Sequence, residues 1–258
     1  MTQAQRTVTL IGAQGRMGRM LGYGLASAGA TVHFLDRPLT QDKLQAALPG
    51  SDIVILSVPI DAVNEVLENI APHLGPDTIL ADICSVKTEP VRAMLQAHAG
   101  PVVGTHPLFG PSPEPGTPLR VAIVPARNDE AATAMAGLFR AMGHESFITS
   151  AEEHDRAMAY VQGLNFATTL AYLASAPQDM DIAKFLTPSF ERRLEAARTM
   201  CTSDAGMFAS MCEANPAMGE ILRNFRSFLN IAAGGDLDLL SKRAGWWWQR
   251  NNDDGEPE

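Results

Sequence analysis

The sequence is short of several features that mark particular classes of protein. It has only three cysteines, Cys84, Cys201 and Cys212, an odd number without metal-ligand spacing, so we expect neither a disulfide framework nor a metal site. No apolar run approaches the roughly 20 residues that a membrane-spanning helix requires. The N-terminus lacks the apolar core of a signal peptide. These absences predict a cytoplasmic protein that does not associate with membranes.

Positive charge is also scarce. The 258 residues include 20 Lys and Arg against 29 Asp and Glu, which gives a formal net charge of −9. A general nucleic-acid binder needs a basic surface to displace counterions from phosphates, so this balance argues against nucleic acid as a partner. Apolar material is plentiful by contrast: hydrophobic residues make up 46% of the chain and charged residues 19%. Such a composition is typical of a folded globular protein.

The first half of the chain alternates strand-like and helix-like stretches. Each strand candidate is almost continuously apolar, as strands buried on both faces of a parallel sheet are. The strand candidates are residues 7–11, 31–35, 53–58, 78–83, 102–104 and 121–124, and the helix candidates are 16–28, 62–71, 89–97 and 129–142. This order predicts an α/β fold, a Rossmann-like doubly wound sheet with right-handed crossovers.

The second half has a different character. After Ser150 no convincing β run occurs, whereas apolar residues recur at helical spacing. Ser150 is followed three residues later by Glu153, a pattern typical of the capped start of a helix. We therefore predict an α/β domain over residues 1–150, an all-helical domain over 151–250 and an acidic, polar tail over 251–258.

A glycine-rich turn follows the first predicted strand. Gly12, Gly15 and Gly18 form a GxxGxxG pattern, and Gln14, Arg16 and Met17 lie between them. Glycines let the backbone turn tightly and approach a pyrophosphate, and the N-terminus of the following helix offers free N–H groups. The turn therefore predicts a dinucleotide-binding site formed by these six residues.

An acidic residue supports this interpretation. Asp36 ends the second predicted strand, 18 residues after Gly18, where a carboxylate accepts hydrogen bonds from the adenosine ribose. Its charge would repel the 2′-phosphate of NADP and favours NAD. The adjacent Arg37 could bind that phosphate, so NADP remains the less favoured alternative.

Further polar groups end the next predicted strands. Ser85 and Lys87 follow the fourth strand, His106 follows the fifth, and the third ends in Ser57, Val58 and Pro59. Because ligands bind outside the carboxyl ends of parallel strands, these groups should line one crevice beside the nicotinamide. A neutral imidazole can accept a hydroxyl proton as hydride leaves, and a lysine can attract a carboxylate. A structural histidine and a solvated lysine are the alternatives.

Five segments carry a family resemblance. GAQGRMGRML, VILSVPIDAV, LADICSVKTEPVRAML, GPVVGTHPLFGP and EEHDRAMAYVQGL resemble the prephenate dehydrogenase family, especially the dehydrogenase part of bifunctional chorismate mutase–prephenate dehydrogenases. The similarity covers residues 6–175 and extends more faintly to about 245. HPLFGP together with SVK is more specific than the glycine turn. The chain begins at the first Rossmann strand, so no mutase activity is expected.

The resemblance implies an oxidoreductase of tyrosine biosynthesis that uses NAD to convert prephenate to 4-hydroxyphenylpyruvate by oxidative decarboxylation. It implies that His106 takes the proton of the C4 hydroxyl, that Ser85 orients this histidine, and that Lys87 belongs to the substrate pocket. Helical-domain arginines of the family bind the substrate carboxylates, and Arg192 and Arg198 are the candidates. The first domain would then bind the dinucleotide, and the second would bind substrate and form a homodimer.

Departures from the family pattern leave alternatives open. Asn165 and Phe166 stand where relatives carry an Arg-His pair, so arogenate or 4-amino-4-deoxyprephenate are rival substrates. A non-catalytic, dinucleotide-sensing regulator is a rival from a different class, although it need not keep Ser85, Lys87 and His106 together. The three consecutive tryptophans at 246–248 cannot all face one side of a helix. At least one should contact a second surface, such as a partner subunit, unless it is a partly exposed core residue.

Overall fold

The computed structural model describes residues 6–253 and has a seven-stranded sheet at its centre. The strands are β1 (Thr7–Ile11), β2 (Thr31–Leu35), β3 (Ile53–Leu56), β4 (Ile79–Asp82), β5 (Val102–Pro107), β6 (Arg120–Arg127) and β7 (Glu145–Ile148). Their spatial order is β2-β1-β3-β4-β5-β6-β7. The six predicted strands are confirmed. The bounds of β1 and β2 match the prediction, and His106 lies within β5 rather than after it.

Two features of the sheet differ from the prediction. The pairing of β5 with β6 is antiparallel, whereas every other pair of neighbours is parallel, so the sheet is not uniformly parallel. Strand β7 was not predicted, because its side chains are mostly exposed and it lacks the apolar run of the inner strands. It pairs with β6 over only four residues and ends with Ile148 opposite Ile123, which itself pairs with Thr105 of β5.

Helices cover both faces of the sheet. They are α1 (Arg16–Ser27), α2 (Gln41–Ala47), α3 (Val63–Ile70), α4 (Thr88–Ala97) and α5 (Asp129–Ala141). One buried cluster joins α3 and α4 to the sheet through residues such as Val66 and Met94. A second, on the opposite face, includes Leu21 of α1 and Phe139 of α5. Burial on both faces explains why the inner strands are continuously apolar. The short, polar α2 was not predicted.

The rest of the described chain is helical. Helix α6 (Ala151–Met158) continues through a π-helical segment, Ala159–Leu164, into α7 (Asn165–Ala174). The later helices are α8 (Pro188–Cys201), α9 (Ala205–Ala214), α10 (Met218–Ala233), α11 (Leu237–Ala244) and α12 (Trp246–Asp253). Ser150 caps α6 as predicted, because its side chain accepts a hydrogen bond from the Glu153 N–H at 3.1 Å. None of the helices between residues 6 and 253 is both long and apolar enough to span a membrane.

The predicted domain bounds stay predictions. The division into two domains is placed at residue 150, where β7 has ended and α6 begins. The acidic, polar tail is predicted over 251–258, and α12 extends to Asp253. Residues 254–258 lie outside the described part of the chain.

A buried ion pair joins three elements at the carboxyl edge of the sheet. The ammonium of Lys87, just before α4, donates to the carboxylate of Asp82 at the end of β4 and to the carbonyl of Thr105 in β5, at 2.7 Å. All three residues are completely buried. Asp82 also accepts the backbone N–H of Cys84 at 2.9 Å. Because a buried charge without a partner is costly, each ion depends on the other.

We expect Asp82→Asn to lower the free energy of unfolding by about 3–5 kcal/mol, since it leaves the Lys87 ammonium buried without a counter-charge. Urea unfolding followed by circular dichroism would measure the loss. The matched control is Glu145→Gln, which breaks the exposed pair with Arg120 and should change stability by less than about 1 kcal/mol. Equal effects of the two substitutions would contradict the prediction.

Candidate active site

The glycine turn packs directly against the end of β3. Gly12 has a φ of +85°, and a Cβ atom at this position would lie 2.2 Å from the carbonyl oxygen of Ser57. A Cβ atom on Gly18 would lie 2.2 Å from the carbonyl oxygen of Gly12. Neither position has space for a side chain, and Gly12 also has a backbone conformation that favours glycine. As in every α-helix, the N–H groups of the first turn of α1 have no acceptor within the helix.

Asp36 lies beside this turn. Its carboxylate accepts the backbone N–H of Gln14 at 2.6 Å and that of Arg37 at 3.0 Å. A cavity of about 260 Å³ separates Asp36 from the end of β3; among the residues that line it are Gly12, Gly15, Arg37, Ser57, Val58 and Pro59. Seven of the predicted cofactor-binding residues thus surround one space. The exposed Arg37 pairs with Glu65 at 2.9 Å, so its charge is already partly balanced.

A second cavity, of about 490 Å³, shares part of this lining and extends towards the helical region. One wall is formed by Gly15, Arg16, Met17, Ser85 and the residues 57–59, and the other by α9. Ser85, at the end of the β4 loop, therefore faces the same space as the glycine turn. Gly18 is buried in the packing of α1.

Two polar contacts connect the walls of this cavity. Arg16, at the start of α1, pairs with Asp204 at 2.5 Å, just before α9. Asp61, in the loop after β3, accepts a hydrogen bond from Ser210 of α9 at 3.2 Å. We name these two contacts the cleft contacts. They hold α9 over the predicted cofactor crevice and balance the charge of Arg16.

His106 belongs to a buried chain of three side chains. Its Nδ1 lies 2.9 Å from Nε2 of His154, and Nδ1 of His154 lies 2.9 Å from Oδ1 of Asp155. All three residues are buried. The Asp155 carboxylate also accepts the backbone N–H groups of Lys87 at 2.6 Å and Thr88 at 2.9 Å. The start of α6 is thereby bound to both β5 and the loop after β4.

The environment of this chain controls its protonation. Burial lowers the pKa of His106 well below its ordinary value, and the neighbouring His154 and Lys87 lower it further. His106 is therefore neutral at physiological pH. Burial alone would raise the pKa of Asp155, but hydrogen bonds from His154, Thr88 and Lys87 outweigh it and hold this pKa below its usual value. Asp155 is therefore ionised.

The predicted role of Ser85 stays a prediction. Within residues 6–253 no hydrogen bond joins Ser85 to His106, whose ring is held by His154 instead. His154 and Asp155 were missed as site residues because they lie 48 and 49 positions from His106, and spacing does not reveal such a contact. The signal available in the sequence was the His-Asp dipeptide in EEHDRAMAYVQGL.

The predicted role of Lys87 as a carboxylate ligand stays a prediction, and the position of its side chain does not support it. Its ammonium does not reach the cavities, because it is completely buried between Asp82 and Thr105. Asp82 balances its positive charge inside the fold. Complete burial contradicts the alternative, a solvated lysine.

The predicted substrate arginines are not brought to the site. Arg192 and Arg198 lie on the exposed surface of α8, and neither is among the residues that line the two described cavities. Arg198 pairs with Glu195 at 2.7 Å, one helical turn away. Phe166, at the departure from the family pattern, is buried and its ring stacks on that of Phe208 with centroids 5.3 Å apart.

Comparisons with known proteins agree with this arrangement. Residues 24–117 match the family described as "Prephenate dehydrogenase, nucleotide-binding domain". The T-protein of Enterobacter agglomerans is 33% identical over 212 residues, which cover 80% of this chain and 56% of that protein. The probable arogenate/prephenate dehydrogenase of Methanocaldococcus jannaschii is 27% identical over 248 residues, covering 87% and 55%. The chain spans about half the length of these curated relatives.

A similar fold occurs in the crystal structure of prephenate dehydrogenase from A. aeolicus in complex with hydroxyphenyl propionate and NAD⁺. It matches with a TM-score of 0.79 and 18% identity, over 97% of this chain and 99% of that one. This likeness confirms the predicted fold class, a Rossmann-like α/β part followed by helices. The family match and the sequence similarity show that the chain belongs to the prephenate dehydrogenase family.

Proposed function

We propose that this protein is an NAD-dependent dehydrogenase that converts prephenate to 4-hydroxyphenylpyruvate and carbon dioxide. The observation that carries the proposal is the buried, neutral His106, held by His154 at the same edge of the sheet as the glycine turn. We further propose that it acts in the cytoplasm, whose reducing conditions suit the free thiols of Cys84, Cys201 and Cys212.

The residues around the first cavity fit a dinucleotide. The absent Cβ of Gly12 leaves the turn packed closely enough for the N-terminus of α1 to meet a pyrophosphate. Asp36 lines this cavity, where it would accept ribose hydroxyls, and its charge would disfavour a 2′-phosphate. When bound, NAD⁺ supplies the acceptor for the hydride that leaves C4 of the substrate.

His106 supplies the base in this proposal. Its unprotonated nitrogen takes the proton of the C4 hydroxyl as the C4–O bond becomes a carbonyl. Loss of the ring carboxylate as carbon dioxide then gives the aromatic ring, and its electron pair leaves a phenolate at C4. The phenolate takes the proton back from His106, so protons and charge balance over the cycle.

Arogenate is the second candidate substrate, and the cations of the site favour it. Prephenate carries two carboxylates and needs cationic partners, for which arginine is best suited. In the described residues around the crevice, Arg16 is paired with Asp204 and Lys87 with Asp82. Arogenate carries an ammonium group on its side chain and so needs less positive charge from the protein. The 4-amino analogue of prephenate is the third candidate.

We expect purified protein to form reduced nicotinamide from NAD and prephenate. Prephenate, arogenate and 4-amino-4-deoxyprephenate should be compared with NAD and with NADP, and kcat/KM determined from the absorbance of the reduced cofactor. Asp36 should make NAD the better cofactor. Faster turnover of arogenate would assign the second candidate, and no turnover of any of the three would contradict the proposed function.

We expect His106→Asn to lower kcat by roughly 10²–10⁴-fold, the usual contribution of a positioned base. The Kd for NAD should stay unchanged, because the glycine turn and Asp36 are not altered. Calorimetric titration would measure binding, and absorbance would measure turnover. His98→Asn is the matched control, since His98 is also buried but bonds to Thr78 at 2.8 Å. Near-normal turnover in His106→Asn would refute the assignment of the base.

We also propose that the helical region forms a homodimer. Large apolar side chains are exposed there, among them Leu237, Leu239, Trp247 and Trp248. An apolar cavity of about 770 Å³, lined partly by Tyr160, Phe225, Phe228 and Trp247, opens on the same region. Exposed apolar patches of this kind mark surfaces that another protein covers.

We expect the protein to sediment as a dimer in analytical ultracentrifugation. Trp248→Glu should shift the equilibrium towards monomer, because it places a charge on an apolar surface; Trp248 is 71% exposed in the single chain. Tyr23→Glu is the matched control, since Tyr23 is 77% exposed but lies on α1. A monomeric wild-type protein would contradict the proposal.

A further inference from the structure

We propose that His154 and Asp155 are positioning residues for His106: they fix the tautomer that leaves its Nε2 free as the base, and they receive the charge of the proton that it takes. The proposal deepens the proposed function and rests on it for its catalytic part. Its geometric part concerns the buried chain His106–His154–Asp155 alone.

The direction of the hydrogen bonds follows from the ionised carboxylate. Asp155 can only accept, so Nδ1 of His154 must carry the hydrogen that it donates at 2.9 Å. In a neutral His154 the other nitrogen, Nε2, is then a pure acceptor. It lies 2.9 Å from Nδ1 of His106, which must therefore be the donor. The only nitrogen of His106 left without a hydrogen is Nε2.

The same chain determines where the positive charge goes. Once Nε2 of His106 has taken a proton, the ring can pass its Nδ1 hydrogen to Nε2 of His154. The charge then lies on His154, in contact with the Asp155 carboxylate, and His106 is neutral again. This matters because His106 is buried and close to the Lys87 ammonium, surroundings that oppose a charged imidazole. The return of the proton to the phenolate reverses these two transfers.

Several hydrogen bonds hold the side chain of Asp155 in place. Besides His154, the Asp155 side chain accepts the backbone N–H groups of Lys87 and Thr88, and its backbone carbonyl accepts a hydrogen bond from Asn215 at 2.8 Å. These contacts come from two further parts of the fold, the start of α4 and the segment between α9 and α10. Asp155 therefore cannot turn away from His154 without breaking the contact between α6 and the loop after β4.

The tautomer can be tested without turnover. In ¹⁵N NMR spectra of histidine-labelled wild-type protein, we expect the Nδ1–H tautomer for both His106 and His154. In Asp155→Leu no carboxylate keeps the hydrogen on Nδ1 of His154, so His106 should lose its preference and populate both tautomers. An Nε2–H tautomer of His106 in the wild type, or an unchanged Nδ1–H preference in a folded Asp155→Leu variant, would overturn the proposal.

Kinetics test the catalytic part. His154→Leu removes the acceptor, and we expect kcat to fall roughly 100-fold with little change in KM. His154→Gln retains an acceptor oxygen near the Nε2 position, and its kcat should be about tenfold higher than that of His154→Leu. His98→Gln, a buried histidine outside the chain, should leave kcat unchanged. Equal kcat values for the Leu and Gln variants, or a loss confined to KM, would overturn the catalytic role.

The two proposals fail in different ways. If the wild type turns over none of the three substrates, the proposed function falls, while the NMR spectra still decide whether His154 and Asp155 fix the tautomer. If the wild type is active and the variants behave as packing mutants, with activity that follows their thermal stability, the proposed function stands and this inference falls.

Discussion

The carboxylate of Asp155 is the point on which the relation between the sheet and the helical region depends. It accepts hydrogen bonds from one side chain and two backbone amides. Within the described chain it pairs with no exposed cation. A buried carboxylate is tolerated only when its oxygens are satisfied in this way. The same requirement that makes Asp155 stable in the interior therefore aligns α6 with β5 and the loop after β4.

The charges of the interior are arranged as local pairs. A protein with a net charge of −9 cannot attract an anionic cofactor and substrate by its overall field. The cations that line or lie near the crevice are already paired: Arg16 with Asp204, Arg37 with Glu65, and the buried Lys87 with Asp82. The N-terminus of α1 therefore becomes an important source of positive potential at the crevice.

The sequence predicted the features that depend on local patterns. Strands β1 and β2 were located to the residue, because apolar runs bounded by polar residues are local signals. The direction of β6 was not predictable, since periodicity carries no direction, and exposed β7 had no apolar run to reveal it. Lys87 was assigned to the substrate because the sequence does not say whether Asp82, five residues earlier, turns towards it. The contact between His106 and His154 spans 48 residues and follows only from the tertiary fold.

The length of β7 affects where His154 lies relative to His106. The strand stops after four residues, level with Thr105 across β6, and α6 begins three residues later. Each residue added to β7 would carry the start of α6 about 3.3 Å further along the sheet. A shift of that size would break the 2.9 Å contact between Nε2 of His154 and Nδ1 of His106. The length of an exposed edge strand, whose own side chains touch neither cavity, thus sets whether two buried histidines meet.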